Sequence, residues 1–321
     1  MKRRKGTALI FFIMLIPLFN YVPLTSAQTI IIDPADNIQQ VINTVEPYTT
    51  IFLNKGEYNQ NFEITKPLQI VAKNPNYTII NVTSKMNKPA IIFSSSNILL
   101  SNVTVRNNGP GLYTSGVRIL KDYNTIKGCK FTDTPIGISI WSNHNTIIDC
   151  IFNNCSDEGI VLLSTMISSA NNNYISHSTF NNNCDGIEMQ QSRNNTIISC
   201  IFNNNYHSGI DGIDCENNNN IIQDCIITNN SVHGIYLSNS NNIIIKNCSF
   251  YNNTDGNIIT PQSTNIITID NVFKVSIQNS ERVYESSRST IESSEKTNSF
   301  QSIIEHFISF ISNIFSLNKS K

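Results

Sequence analysis

Two short stretches carry carboxylates at a spacing that can do chemistry: Asp185-Gly-Ile-Glu188 and Asp211-Gly-Ile-Asp214. Glu158-Gly-Ile-Val161 precedes them and His233-Gly-Ile-Tyr236 follows. Aligned on their glycines and stacked as strands, such motifs would stand about 4.8 Å apart. Asp185, Glu188, Asp211 and Asp214 would then form one acidic cluster on two neighbouring coils, flanked by His233 and Tyr236 on the next. Paired carboxylates at that range can act as acid and base on a glycosidic bond. They could also hold Ca²⁺, though no cofactor is required, and a neighbouring Tyr can stack on a sugar ring. A plain structural reading stands beside these: Asp-Gly is good turn chemistry, and outward acids are ordinarily solvated.

What could position these residues is a repeat. The segments NTIKGCKF (124–131), NTIIDCIF (145–152), NYISHSTF (173–180), NTIISCIF (195–202), NIIQDCII (220–227) and IIIKNCSF (243–250) align, with starts 21, 28, 22, 25 and 23 residues apart. Each is followed by a Gly-apolar-variable-apolar segment, the period-two signature of a strand with one buried face. The repeat glycine is expected to supply a positive-φ turn. No unit has enough apolar surface for its own core, so the units must stack. Ile126, Ile147, Ile175, Ile197, Ile222 and Ile245 would form one column, and Phe131, Phe152, Phe180, Phe202, Ile227 and Phe250 another. A propeller blade needs about 40 residues per repeat, and a leucine-rich repeat needs a Leu frame that is absent. The fold class is therefore all-β, a right-handed parallel β-helix of about ten coils near 22 residues each.

These units resemble the repeats of NosD-like parallel β-helix proteins, a group similar to carbohydrate-binding and sugar-hydrolysing β-helices, which read roughly N-x-I-x-x-N-x-F and then G-I-x-L. The resemblance spans about residues 97–270. Residues 37–82 look like that group's N-terminal segment, with a short helix near 34–45 capping the open end of the core. The resemblance implies polysaccharide binding along a ladder face as one role. A polysaccharide hydrolase or lyase and a periplasmic accessory factor for copper-enzyme maturation are the alternatives. DGID (211–214) and VHGI (232–235) are similar to elements of polygalacturonase-like hydrolases, but the paired Asp-Asp and Arg-x-Lys motifs of those enzymes are missing. The one obvious insertion, 164–173, is too short to wall a deep groove, which favours binding over catalysis. Arg118, Ser139 and Trp141 lie on earlier coils, Trp141 as a sugar platform or a packed edge residue.

The group's Asn position is Cys129, Cys150, Ser178, Cys200, Cys225 and Cys248 here. Buried free thiols are the simplest reading. Disulfides and a Cu(I)-binding ladder are the others. Cys215 would occupy the core position of Leu162, Met189 and Leu237. Cys155 and Cys184, in turns of adjacent coils, are the disulfide candidates. No Cys/His spacing suggests a zinc site.

Composition bounds the rest. Charged residues make up 14% and the net charge is −1, which argues against a nucleic-acid partner. Hydrophobic residues make up 40%, enough for a core. Residues 1–27 read as an export signal: a basic start, an apolar run and Thr25-Ser-Ala27. Residues 28–278 form the β-helix domain, with 28–96 as cap and opening coils and 97–278 as repeats. A Ser/Glu-rich linker is expected at 279–300 and an amphipathic helix at 301–321 that docks on the solenoid or lies on a membrane. The protein is expected to be exported: extracellular, on the cell surface or periplasmic. Nine Asn-x-Ser/Thr sequons are present, at Asn76, Asn81, Asn102, Asn154, Asn194, Asn229, Asn247, Asn252 and Asn318.

Overall fold

A computed structural model describes residues 28–215, 219–277 and 280–284. The expected export signal (1–27) and the expected C-terminal helix (301–321) lie outside the described residues. Among the described residues, three long sheets run along a solenoid of about eleven turns. The first and third have eleven strands each and the second has nine. Every strand pairs in parallel with the strand one coil on, except Val272–Ile277 and Ser280–Tyr284, which pair antiparallel. Ser280–Tyr284 falls where a linker was expected. These five residues pair with the third sheet, and residues 285–300 of the expected linker lie outside the described residues.

The Ile column forms as expected, with Ile126, Ile147, Ile175, Ile197, Ile222 and Ile245 in register on the first sheet. The Phe column runs along the third, and Phe131, Phe152, Phe180 and Phe202 stack with centroids 5.0, 4.7 and 4.8 Å apart. Both columns are wholly buried. The parallel register places like on like, so each ring packs on the next at stacking distance.

Asparagine explains how the coil turns. Asn124, Asn145, Asn173, Asn195 and Asn220 form a buried ladder in which each Oδ1 accepts the backbone N–H of the residue one coil earlier, at 2.7–2.9 Å. A second ladder runs through Asn183, Asn205, Asn230 and Asn253 at 3.0–3.1 Å. These side chains satisfy N–H groups that a bend would otherwise bury unpaired. Another set of Asn residues, including Asn154, Asn182, Asn204, Asn229 and Asn252, takes φ of 55–59° at one corner. Asn tolerates this left-handed region better than most residues. The Asn-rich composition is thus largely structural.

The repeat glycines differ from expectation. Gly159, Gly186, Gly209 and Gly234 have no left-handed φ. They are glycines because of close approach. A Cβ on Gly186 would sit 2.4 Å from the Gly209 carbonyl oxygen and 2.5 Å from Phe202 Cδ1. The Phe column occupies the space a side chain would need.

One short helix, Ile38–Thr44, is N-capped by Asn37, whose side chain accepts from Gln40 N. It buries Ile38 and Ile42 in the core.

Among the described residues no disulfide forms. Cys155 and Cys184 do not pair. Asn153 is in register with Asn181, which sets Cys155 opposite Asn183 and Cys184 opposite Ser156. Cys155 therefore occupies an inward ladder position and is wholly buried, while Cys184 is half-exposed. Cys215 is also buried, but not where expected: Gly212 faces Met189 and Leu237, and Cys215 lies in the turn that follows. Its N–H donates to Ser240 Oγ at 3.3 Å.

Candidate functional site

The second sheet carries the acids. Its central strands are Glu158–Leu163, Asp185–Gln190, Ser208–Ile213 and His233–Ser238. Inward residues such as Ile187 and Met189 alternate with outward Glu188. The register makes two polar rows. Glu158, Asp185, Ser208 and His233 head the strands, and Val161, Glu188, Asp211 and Tyr236 follow on the outward face.

Asp211 therefore stands opposite Glu188, not opposite Asp185. The repeat glycine of this coil is Gly209, not Gly212, which shifts the expected alignment by three residues. Asp214 drops out of the cluster. It is exposed at the following turn with φ 51°, where its Oδ1 accepts from Asn239 Nδ2 at 3.1 Å. Asp185, Glu188, Asp211, His233 and Tyr236 do share one face. His207 and Ser208, absent from the sequence expectation, join them. The signal was available: Gly159, Gly186, Gly209 and Gly234 each follow the Phe-column residue by six or seven positions, whereas Gly212 follows it by ten.

The geometry is tight. His207 Nδ1 lies 3.0 and 3.2 Å from the two Asp185 oxygens and 3.8 Å from Asp211 Oδ2. Ser208 N–H donates to Asp185 Oδ1 at 2.7 Å. The His207 and His233 rings meet edge to face at 5.9 Å, and His233 stacks on Tyr236 at 4.8 Å. Gln190 Nε2 donates to Glu188 Oε1. Glu158, Asp185 and Asp211 are each only 6% exposed.

Burial dominates the ionisation of these acids. It pushes Asp211 up to about 7, with Asp185 and Glu188 adding repulsion and His207 opposing. Asp185 is raised by the same desolvation, offset by His207 and the Ser208 N–H. Glu158 is raised well above the carboxylate range by burial and by Asp157 and Glu188. Burial and His207 lower His233, with Asp255 opposing. Burial thus favours the protonated form of Asp211 and Glu158, and a protonated carboxyl both donates and accepts hydrogen bonds.

One to two coils earlier, a groove of about 380 Å³ opens at the sheet edge, lined by Tyr123, Trp141, Ser142, Asn143, Ile167 and Lys121 among others. Ile167 belongs to the 164–173 insertion. Trp141 is half-buried, donates from Nε1 to Ser139 Oγ at 2.6 Å, and lies under the Arg118 guanidinium at 5.3 Å.

The family model described as "Right handed beta helix region" matches residues 69–211. The one described as "Periplasmic copper-binding protein (NosD)" matches 156–301. The chain is a NosD-like right-handed β-helix repeat protein. No curated protein matches it significantly. Among solved structures, this β-helix is similar to the enzymatically active domain of tailspike protein 2 of bacteriophage CBA120, with TM-score 0.63, 14% identity, and 77% of this chain against 43% of that one covered. It is similar to an alginate lyase from Paenibacillus sp. str. FPU-7, with TM-score 0.60, 15% identity, and 77% and 98% covered. It is also similar to the catalytic domain of an α-1,3-glucanase in complex with nigerose, with TM-score 0.51, 14% identity, and 76% and 57% covered. The β-helix spans about two fifths of the tailspike domain's length. At these identities the likeness is one of fold.

The thiol ladder does not fit a copper site. Cys129, Cys150, Cys200, Cys225 and Cys248 are essentially unexposed, and their Sγ–H groups point at backbone carbonyls. Burial pushes Cys129 and Cys200 up to about 12, so the thiolate a metal needs is disfavoured. Ser178 interrupts the column.

Proposed function

We propose that this is an exported, non-catalytic β-helix protein that binds a polysaccharide along the second sheet. The observation that carries this reading is the pair of polar rows: carboxyls from three consecutive coils beside a stacked His233–Tyr236 pair, on one continuous face. Coils at about 4.8 Å spacing repeat their donors and acceptors along the axis, which suits a polymer with many hydroxyls. Carboxyls whose protonated form burial favours match hydroxyls, which both donate and accept. The Trp141–Tyr123 groove extends the surface with aromatic faces. The helix Ile38–Thr44 closes the N-terminal end of the core in this reading. The NosD match supports a location outside the cytoplasm.

A second reading is a polysaccharide hydrolase or lyase, favoured by Asp211. A carboxyl that titrates near neutrality beside an Asp–His pair can serve as a general acid or base. A NosD-like accessory role in copper-enzyme maturation is supported by the match over 156–301.

The experiment incubates the protein with acidic and neutral polysaccharides, with Ca²⁺ or chelator, and counts new chain ends. Binding without catalysis predicts retention on at least one polysaccharide and no new ends. New ends that vanish in Asp185→Asn and Asp211→Asn variants would make the protein an enzyme and overturn the primary reading.

A further inference from the structure

We propose that Asp185, His207 and Asp211 form a binding site for a divalent first-row transition-metal ion such as Zn²⁺. One donor atom from each residue lies within 4.8 Å of the other two. His207 Nδ1 stands between the carboxylates, 3.0 Å from Asp185 Oδ1 and 3.8 Å from Asp211 Oδ2. Donors around an ion at about 2.1 Å lie roughly 3.0–3.5 Å apart, so small side-chain rotations close the set.

A second, independent observation points to a ligand. Asp211 is 6% exposed, and its Oδ1 is buried with no hydrogen-bond partner. An unpartnered buried carboxylate oxygen is costly. Its neighbours Ser208 and Asp185 are already bonded to each other. An ion held by Asp211, Asp185 and His207 would satisfy that oxygen and neutralise the carboxylates that repel one another here.

The donors select the class of ion. Two carboxylate oxygens and one imidazole nitrogen suit Zn²⁺, Co²⁺, Ni²⁺ or Mn²⁺ better than Ca²⁺, which prefers an all-oxygen shell. Three protein donors leave positions for water or a ligand hydroxyl. The His207 side chain is 41% exposed, which gives the ion a route in. The Asp185 carboxylate is fixed by Ser208 N–H, an outer contact that holds it in place for the ion. The site is separate from the thiol ladder, and its three donors need no polysaccharide to hold an ion.

The test is calorimetric titration of the chelator-stripped full chain with ZnCl₂, without polysaccharide. The proposal expects one Zn²⁺ per chain, and a thermal midpoint raised by several degrees at about 100-fold excess over Kd. His207→Gln and Asp211→Asn should each weaken uptake at least tenfold while the far-UV spectrum stays β-rich. His144→Gln, whose ring stacks on Tyr123 elsewhere, should bind as the parent does. Co²⁺ should give a visible d–d spectrum that His207→Gln abolishes. No stoichiometric uptake by the parent, or undiminished uptake by folded His207→Gln and Asp211→Asn, would overturn the proposal.

Discussion

Replacing Asp211 by Asn should stabilise the metal-free protein, and by an amount that grows with pH. In the fold its carboxyl is raised from an ordinary 3.8 to about 7, chiefly by burial. A raised acid binds its proton more tightly in the folded chain than in the unfolded one. Stability is therefore full below about pH 4 and falls as pH climbs from 4 through 7. The shift is about three units, each worth about 1.4 kcal/mol, so the parent loses up to about 4 kcal/mol between pH 4 and pH 8. Water and side-chain relaxation reduce this, and about 2 kcal/mol is the expected floor. Asn has the same shape and no charge to lose. Asp211→Asn should thus differ from the parent by less than about 1 kcal/mol at pH 4, and be more stable by about 2–4 kcal/mol at pH 8. Thermal melts in chelator at pH 4, 6 and 8 read this directly; a domain of this size moves about 2–4 °C per kcal/mol. A difference that is flat with pH, or that turns unfavourable as pH rises, would refute the reasoning. The parent's gain on acidification would mark a face kept at a cost to stability, as binding and catalytic sites commonly are.

The scaffold makes its own predictions. Asn195→Ala removes the acceptor for Asn173 N–H and the donor to the Ala170 carbonyl; two buried orphans should cost about 2–5 kcal/mol in urea melts, and a loss under about 1 kcal/mol would deny the ladder its role. Gly186→Ala forces a methyl against Gly209 O and Phe202 and should cost about 3 kcal/mol or abolish soluble expression; a neutral outcome would mean that close approach does not explain this glycine. Native thiol titration should label Cys184 first, half-exposed with its thiol pushed up to about 11 by burial and nearby acids. Rapid labelling of the Cys129–Cys248 column would show that its thiols are not buried as described.

The scaffold was legible because its strongest signals are periodic. The Ile and Phe columns, the parallel solenoid and the buried thiols could each be read from a spacing near 22 residues. The site was half legible. Asp185, Glu188, His233 and Tyr236 were found because their coils keep one glycine in one place. The coil between them offers two glycines, Gly209 and Gly212, and Gly212 is the one flanked by acids. Alignment on Gly212 sets Asp211 opposite Asp185, brings Asp214 into the cluster and leaves His207 out, unlike the register of the fold. The Phe column decides between them: a Cβ on Gly209 would meet Ile227 Cγ2, the next member of that column, at 2.9 Å, whereas one on Gly212 would meet Leu237 instead. The Cys155–Cys184 expectation failed for a related reason: a one-residue offset places the two on different sides of the backbone. What no local motif could reveal was protonation, because the raised pKa of Asp211 and Glu158 comes chiefly from burial in the stacked coils.

The most direct test of the account is carboxyl and tyrosine footprinting of the full chain with and without a retained polysaccharide, paired with affinity electrophoresis. Binding on the second sheet predicts protection of Glu188 and Tyr236 but not of exposed Asp214. It also predicts loss of retardation in Glu188→Gln and Tyr236→Ala variants that melt like the parent. Retardation that survives both substitutions, with Glu188 and Tyr236 labelled equally in free and bound protein, would contradict the claim that this face is the binding surface.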